Sequence, residues 1–249
     1  MIEFGHPPRR ANGLLGTWVK IPSMEMVELL GHAGFDFVVV DLEHAPLNTE
    51  TAYRMVATAQ AAGMAALVRL SDRSGSQIQR LLDAGADGLL VPHVASVDMA
   101  AEITRAMVFA PQGTRGLGAT SRAGHWGLSS VADYVERGDR CLRMVQLESW
   151  DVLQQSASYL EVETVGGVFV GLGDLFLSSG RRSEEPETDA MVQRVAQEAQ
   201  AAGKASGIAV ASVEDARRYL EYGYSLVMVS NDATLFGRAA QAAVAGVRA

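Results

Sequence analysis

The residues Phe37-Val38-Val39-Val40-Asp41-Leu42-Glu43-His44 form a short apolar run that ends abruptly in two carboxylates and an imidazole. Short apolar runs bounded by glycine, proline or polar residues are typical of buried strands. Similar runs recur along the chain, and we predict eight strands, at residues 15–20, 37–42, 65–70, 88–91, 142–147, 167–170, 206–211 and 226–230.

Longer segments with apolar residues at helical spacing lie between these strands, and several end in Ala-Gly or Tyr-Gly, which suits a left-handed residue after a helix. The predicted helices are residues 24–33, 49–62, 76–84, 97–109, 151–159, 189–202, 213–222 and 232–247. Residues 110–126 and 172–188 are predicted to be irregular. This alternation, at a length of 249 residues, predicts an α/β fold with a single (β/α)8 TIM barrel domain. We expect residues 1–12 to be an N-terminal extension, which could be flexible.

Composition and charge exclude several classes of function. The net charge of -8 and the lack of a clustered basic face argue against a nucleic-acid partner. No stretch approaches the roughly 20 apolar residues of a membrane span, and the N-terminus has no signal-peptide core. Cys141 is the only cysteine, which excludes an intrachain disulfide. We therefore expect a cytoplasmic protein without a membrane partner.

Ionisable residues follow the predicted strands at their carboxyl ends, the end at which βα barrels carry their active sites. They are Asp41, His44, Arg69, Glu148 and Asp174. Glu148 and Asp174 are suitable oxygen ligands for a hard ion such as Mg²⁺ or Mn²⁺, although each could instead cap the following helix. The two interpretations are equal for each residue alone, and the shared barrel end favours the site.

His44 could accept or donate a proton near neutral pH, and Asp41, three residues earlier, could orient its ring. A lone histidine is more often structural, so the prediction depends on its neighbours. His93 follows another strand and is interpreted as a structural or rim residue. Among the lysines only Lys20, at the end of the first strand, is a candidate for a Schiff base, which favours a metal-dependent route.

Several of these segments, in this order and spacing, resemble the HpcH/HpaI aldolase family over nearly the whole chain. The motifs are Asp41-Leu42-Glu43-His44-Ala45-Pro46, Val68-Arg69, Leu90-Val91-Pro92, Pro111-Gln112-Gly113-Thr114-Arg115-Gly116, Val145-Gln146-Leu147-Glu148 and Val168-Phe169-Val170-Gly171-Leu172-Gly173-Asp174-Leu175. The resemblance is greatest to the members that act on 4-hydroxy-2-oxo acids.

The resemblance implies a class II carbon-carbon lyase that cleaves or forms 4-hydroxy-2-oxo acids through a pyruvate enolate, with an aldehyde as the second product. It implies a divalent ion (Mg²⁺, Mn²⁺ or Co²⁺), assembly as a homohexamer, and roles for eight residues. Glu148 and Asp174 would hold the ion, Arg69 would stabilise the C2 oxyanion, and His44 with Asp41 would move the proton of the aldehyde-derived hydroxyl, while Gln146, Gly173, Asp174 and Trp18 would contact pyruvate or line its pocket.

Two other functions stay open on sequence grounds: a CoA-ester lyase or other metal-enolate enzyme, and a non-catalytic barrel that binds an oxo acid. The presence of both Asp41 and His44 favours catalysis over simple binding. The segments Gly171-Leu172-Gly173-Asp174-Leu175-Phe176 and Arg69-Leu70-Ser71-Asp72 depart from the usual family pattern. They border the expected pocket, so the aldehyde is left open.

Overall fold

The computed structural model describes residues 13–182 and 185–248, and the extension predicted at 1–12 lies outside them. Eight parallel strands close a barrel in sequence order, with β8 paired to β1, which confirms the predicted (β/α)8 fold. The strands are β1 (Leu14–Val19), β2 (Phe37–Asp41), β3 (Ala65–Arg69), β4 (Gly88–Val91), β5 (Leu142–Leu147), β6 (Gly167–Val170), β7 (Ala205–Val210) and β8 (Leu226–Asn231).

The helices surround the barrel, and most begin at a side chain that accepts the first free backbone N–H groups. Ser23, Asn48, Ser74 and Ser96 are examples of such caps. The helices are α1 (Met24–His32), α2 (Thr49–Ala61), α3 (Gly75–Asp83), α4 (Val97–Arg105), α5 (Val131–Asp139), α6 (Trp150–Gln154), α7 (Ser156–Glu161), α8 (Leu172–Ser179), α9 (Pro186–Ala201), α10 (Val213–Glu221) and α11 (Asp232–Arg248).

The predicted Ala-Gly and Tyr-Gly helix ends are confirmed by glycines with positive φ. These are Gly34, Gly63, Gly85, Gly203 and Gly223. Only glycine adopts this left-handed backbone without a steric cost, so each ends its helix and returns the chain to the barrel.

The prediction of irregular structure at 172–188 was wrong for its first half, because α8 occupies Leu172–Ser179. This helix is short and begins beside a glycine, so its apolar spacing is too brief to be recognised. The helix predicted at 151–159 is two helices, α6 and α7, and α5 was not predicted. Within 110–126, a 3₁₀ segment at Arg122–Gly127 is anchored where Arg122 donates to the Ala84 carbonyl (3.0 Å), next to the amino end of β4.

Buried apolar side chains form two layers, as expected for alternating strand residues. One layer lies between strands and helices and includes Val38, Val40 and Val68. The other fills the barrel interior and consists of Leu14, Phe37, Val39, Ala65, Leu67, Leu90, Leu142, Met144, Phe169, Ala205, Leu226 and Met228. Among the described residues, no helix is both long and apolar enough to cross a bilayer.

Candidate active site

The predicted site residues lie above the apolar interior layer because they continue its alternation. Phe37 and Val39 point into the barrel, so Asp41 does as well, and the same spacing brings Arg69 inward after Ala65 and Leu67. Asp41 and Arg69 are also paired in register on adjacent strands. The sequence thus places a carboxylate beside a guanidinium at the carboxyl end of the barrel.

Asp41 is fully buried and binds both neighbouring cations. Its Oδ1 accepts from Arg69 Nε (2.9 Å) and its Oδ2 from Arg69 Nη2 (2.7 Å), while Lys20 Nζ also contacts Oδ2. Burial alone would raise the pKa of the Asp41 carboxyl, but the hydrogen bonds and charges of Arg69 and Lys20 outweigh it and lower the pKa to about 2. Asp41 is therefore a permanent anion that holds two cations.

Arg69 is held on its other sides too. Its Nη1 lies 3.1 Å from Glu43 Oε2, and its guanidinium carbon lies 4.1 Å from the centre of the Trp18 ring. Trp18 in turn packs edge-on against Phe169, with ring centroids 5.9 Å apart. These contacts fix the guanidinium plane while leaving its outer N–H groups free to bind an anionic oxygen.

Glu148, directly after β5, is bound from one side by His93. Its Oε2 accepts from the His93 backbone N–H (2.7 Å) and lies 3.1 Å from His93 Nδ1. Its Oε1 is buried and has no hydrogen-bond partner. Burial raises the pKa of the Glu148 carboxyl, and the negative charges of Asp174 and Glu43 act in the same direction. Removal from water and repulsion between carboxylates make this position favourable for a cation.

Asp174 lies in the first turn of α8 and is exposed. Gly171 precedes that helix in the only form that fits, because an added Cβ would lie 2.9 Å from both Glu148 Cγ and Gln146 Nε2. Gln146 Oε1 is a second buried oxygen without a partner. An added Cβ on Gly173 would meet no atom within 4 Å, so its backbone borders open space.

His44 lies apart from this buried group, with 55% of its side chain exposed. Asp41 Oδ1 accepts from the backbone N–H groups of Glu43 and His44, each at 3.2 Å. The His44 ring has its Nε2 3.6 Å from Glu43 Oε2. Asp41 thus contacts the main chain of His44, and the carboxylate next to the imidazole is Glu43.

The donor set suits a hard divalent ion. Within residues 13–182 and 185–248, no group of three or more His, Cys, Asp or Glu side chains is arranged to hold a metal ion. Mg²⁺ and similar ions need only one or two protein carboxylates when water or substrate supplies the other oxygens. The partnerless Glu148 Oε1 with the carboxylate of Asp174 fits that requirement.

Three residues of this cluster were not predicted as site residues: Lys20, Glu43 and His93. For Glu43 a signal was available, because strand alternation continues from Val39 and Asp41 to position 43. For Lys20 and His93 the contacts depend on loop conformation after the strand, and sequence spacing does not determine that.

Comparison with known proteins places the chain in a family. The model of the HpcH/HpaI aldolase/citrate lyase family matches residues 14–239. The chain is 37% identical over 235 residues to a 4-hydroxy-2-oxo-heptane-1,7-dioate aldolase of Escherichia coli, which covers 93% of this chain and 89% of the relative.

Solved structures agree with this match. An HpcH/HpaI aldolase/citrate lyase family protein from Burkholderia cenocepacia superimposes with a TM-score of 0.87 at 31% identity, covering 97% of both chains. An HpcH/HpaI aldolase from Desulfitobacterium hafniense has a TM-score of 0.88 at 26% identity, covering 96% of this chain and 94% of that one. The barrel, the site and these matches together assign the chain to the HpcH/HpaI aldolase/citrate lyase family.

Proposed function

We propose that this chain is a metal-dependent aldolase that cleaves or forms 4-hydroxy-2-oxo acids through the enolate of pyruvate. The observation that carries the proposal is the juxtaposition of an acidic pocket and a fixed guanidinium at one barrel end. Glu148 Oε1 is buried without a partner, and Arg69 is clamped by Asp41 and Glu43. The relative in Escherichia coli named for an aldolase of this type supports it.

Glu148 and Asp174 would hold the divalent ion. When bound there, Mg²⁺, Mn²⁺ or Co²⁺ supplies Lewis-acid polarisation of the keto group. Gln146, with its buried free Oε1, and the open backbone of Gly173 would contact the oxo acid on the same side.

Arg69 would stabilise negative charge on the C2 oxygen. Asp41 and Glu43 hold the guanidinium before substrate arrives, so no reorganisation is needed as charge develops. Trp18, stacked on the same guanidinium, would form a wall of the pocket.

His44 would transfer the proton of the aldehyde-derived hydroxyl at the exposed edge of the site. Asp41 supports it by fixing the main chain at His44, and Glu43 lies beside the imidazole. In this scheme Asp41 is a positioning residue for Arg69 and for the loop, since a carboxyl with a pKa of about 2 is a weak base.

Pyruvate release from a series of 4-hydroxy-2-oxo acids, with Mn²⁺, Co²⁺ or Mg²⁺ added, tests the proposal. Glu148→Gln is expected to abolish release, and Glu102→Gln, the same change on the exposed face of α4, is expected to retain it. A folded protein that binds the ion and releases no pyruvate from any of these acids would exclude the aldolase and leave the CoA-ester and binding functions.

We further propose that copies of this chain associate through α11, in line with the homohexamer implied by the family. This helix has 17 residues, and Asp232 is its buried residue. Its exposed apolar side chains are Leu235, Phe236, Val244 and Val247. A long helix with this much exposed apolar surface is typical of an interface between subunits.

A further inference from the structure

His93 adopts a backbone conformation that is unusual for its residue type. It follows β4 and Pro92, and its φ is 56°, in the left-handed region. For a residue with a Cβ this costs roughly 1 kcal/mol or more, and it persists where surrounding contacts require it. Left-handed non-glycine residues concentrate at functional sites, so the contacts of His93 deserve a functional interpretation.

Those contacts are with two carboxylates of the site. The backbone N–H donates to Glu148 Oε2 at 2.7 Å, and ring Nδ1 lies 3.1 Å from the same oxygen. Ring Nε2 lies 2.7 Å from Glu43 Oε1. The side chain is 65% exposed, so burial of the ring does not explain its position.

The left-handed backbone is what allows this double contact. It turns the N–H and the ring of His93 toward one oxygen of Glu148, which leaves the other oxygen, Oε1, buried and without a partner. His93 therefore determines which carboxylate oxygen is available in the pocket.

His93 also connects the two parts of the site. Glu43, held at Oε1 by the imidazole, has its Oε2 3.1 Å from Arg69 Nη1. A continuous series of contacts thus runs from Glu148 through His93 and Glu43 to Arg69.

We propose that His93 is a positioning residue that fixes the carboxylate of Glu148 with Oε1 toward the ion site and links it through Glu43 to Arg69. This inference rests on the proposed function, since it assigns the purpose of a carboxylate that we propose as a metal ligand. Groups that orient metal ligands in this way typically change metal affinity 10- to 100-fold when they are removed.

The test measures binding of Mn²⁺ alone, by calorimetry, to the full-length metal-free chain. His93→Gly keeps the left-handed backbone and its N–H but removes the ring, and His93→Asn tolerates the same backbone and keeps a side-chain donor. His125→Gly is a matched control, because His125 has a φ of 49° and lies on the 3₁₀ segment anchored near the amino end of β4.

We expect His93→Gly to weaken Mn²⁺ binding by about tenfold or more, and His93→Asn to recover part of that loss. His125→Gly should bind Mn²⁺ like the wild type, and the melting temperature of His93→Gly should be retained because glycine accepts the backbone conformation. Equal Mn²⁺ affinity for wild type and His93→Gly would overturn the inference and leave the aldolase proposal intact. Failure of the wild-type chain to bind Mn²⁺ would instead overturn the metal site and, with it, the role of His93.

Discussion

Replacing Asp41 by asparagine is expected to destabilise the folded protein in a pH-dependent way. In the wild type the carboxylate is fully buried and binds Arg69 through two hydrogen bonds, together with Lys20. Asparagine has nearly the same shape but no charge, so it leaves two cations beside a neutral amide.

The pKa of Asp41 provides the pH-dependent part of the effect. It is lowered from 3.8 to about 2, despite burial, by the hydrogen bonds and charges of Arg69 and Lys20. At about 1.4 kcal/mol for each pKa unit, the ionised carboxylate contributes about 2.4 kcal/mol to the free energy of unfolding at pH 7. Breaking a buried ion pair on one side costs about 3–5 kcal/mol in total, so the loss at pH 7 should lie between about 2 and 5 kcal/mol.

The sign follows from the lowered pKa. A carboxyl whose pKa is lower in the folded state contributes stability that is complete above its unfolded pKa and is lost as pH falls toward its folded pKa. The contribution of Asp41 should decrease from about 2.4 kcal/mol at pH 7 to about 1.3 kcal/mol at pH 3. Urea unfolding of wild type and Asp41→Asn at pH 7, 5, 4 and 3 measures this difference.

Asp87 provides a control of opposite sign. Burial raises the pKa of its carboxyl, although the Ala66 backbone N–H and the Gln60 side chain oppose the shift. A group with a raised folded pKa contributes stability that is lost as pH rises, so wild type should gain on Asp87→Asn at low pH. If the difference between wild type and Asp41→Asn stays constant from pH 7 to pH 3, the ion pairs do not hold Asp41 as described.

Three other changes probe the remaining parts of the molecule. Glu148→Gln removes a carboxylate whose pKa is raised by burial, so the melting temperature of the metal-free variant should rise at pH 7 and rise less at pH 4; a lower melting temperature at pH 7 would contradict the raised pKa. Gly171→Ala should weaken Mn²⁺ binding in calorimetry because its Cβ would lie 2.9 Å from Glu148 Cγ, whereas Gly173→Ala, with no atom within 4 Å, should keep the melting temperature and raise KM for the oxo acid; the reverse pattern would argue against this pocket. Phe236→Glu places a charge on the exposed face of α11 and should reduce the molar mass measured by light scattering, and an unchanged mass would exclude that face as an interface.

The barrel was predictable because each strand is a short apolar run with glycine or polar residues at its ends. The bounds predicted for β4, β5 and β6 are those observed, and the other strands differ by one residue at one or both ends. The inward direction of Asp41 and Arg69 also follows from strand alternation. What could not be predicted is the network after the strands, because the contacts of His93 depend on a left-handed backbone that no sequence pattern indicates.

The same limit applies to the pairing of Asp41. Sequence proximity suggested His44 as its partner, three residues away, but closure of the barrel brings Arg69 and Lys20 to its oxygens from two adjacent strands. A buried carboxylate is more strongly stabilised by two cations than by a half-exposed imidazole. Asp41 therefore contacts His44 through the main chain, and its charge is used on Arg69.

The charges of the site alternate along one series of contacts: Lys20, Asp41, Arg69, Glu43, His93 and Glu148. Each inner member is held by a neighbour of opposite character, so the arrangement around Arg69 and Glu148 is organised before any ligand binds. The imidazole of His44 lies at the edge of this series, 3.6 Å from Glu43 and mostly exposed. The half of the site proposed for pyruvate is thus rigid and the half proposed for the aldehyde is open. Differences in aldehyde preference between relatives should therefore map to the surroundings of His44, while changes near Arg69 should affect turnover with every aldehyde alike.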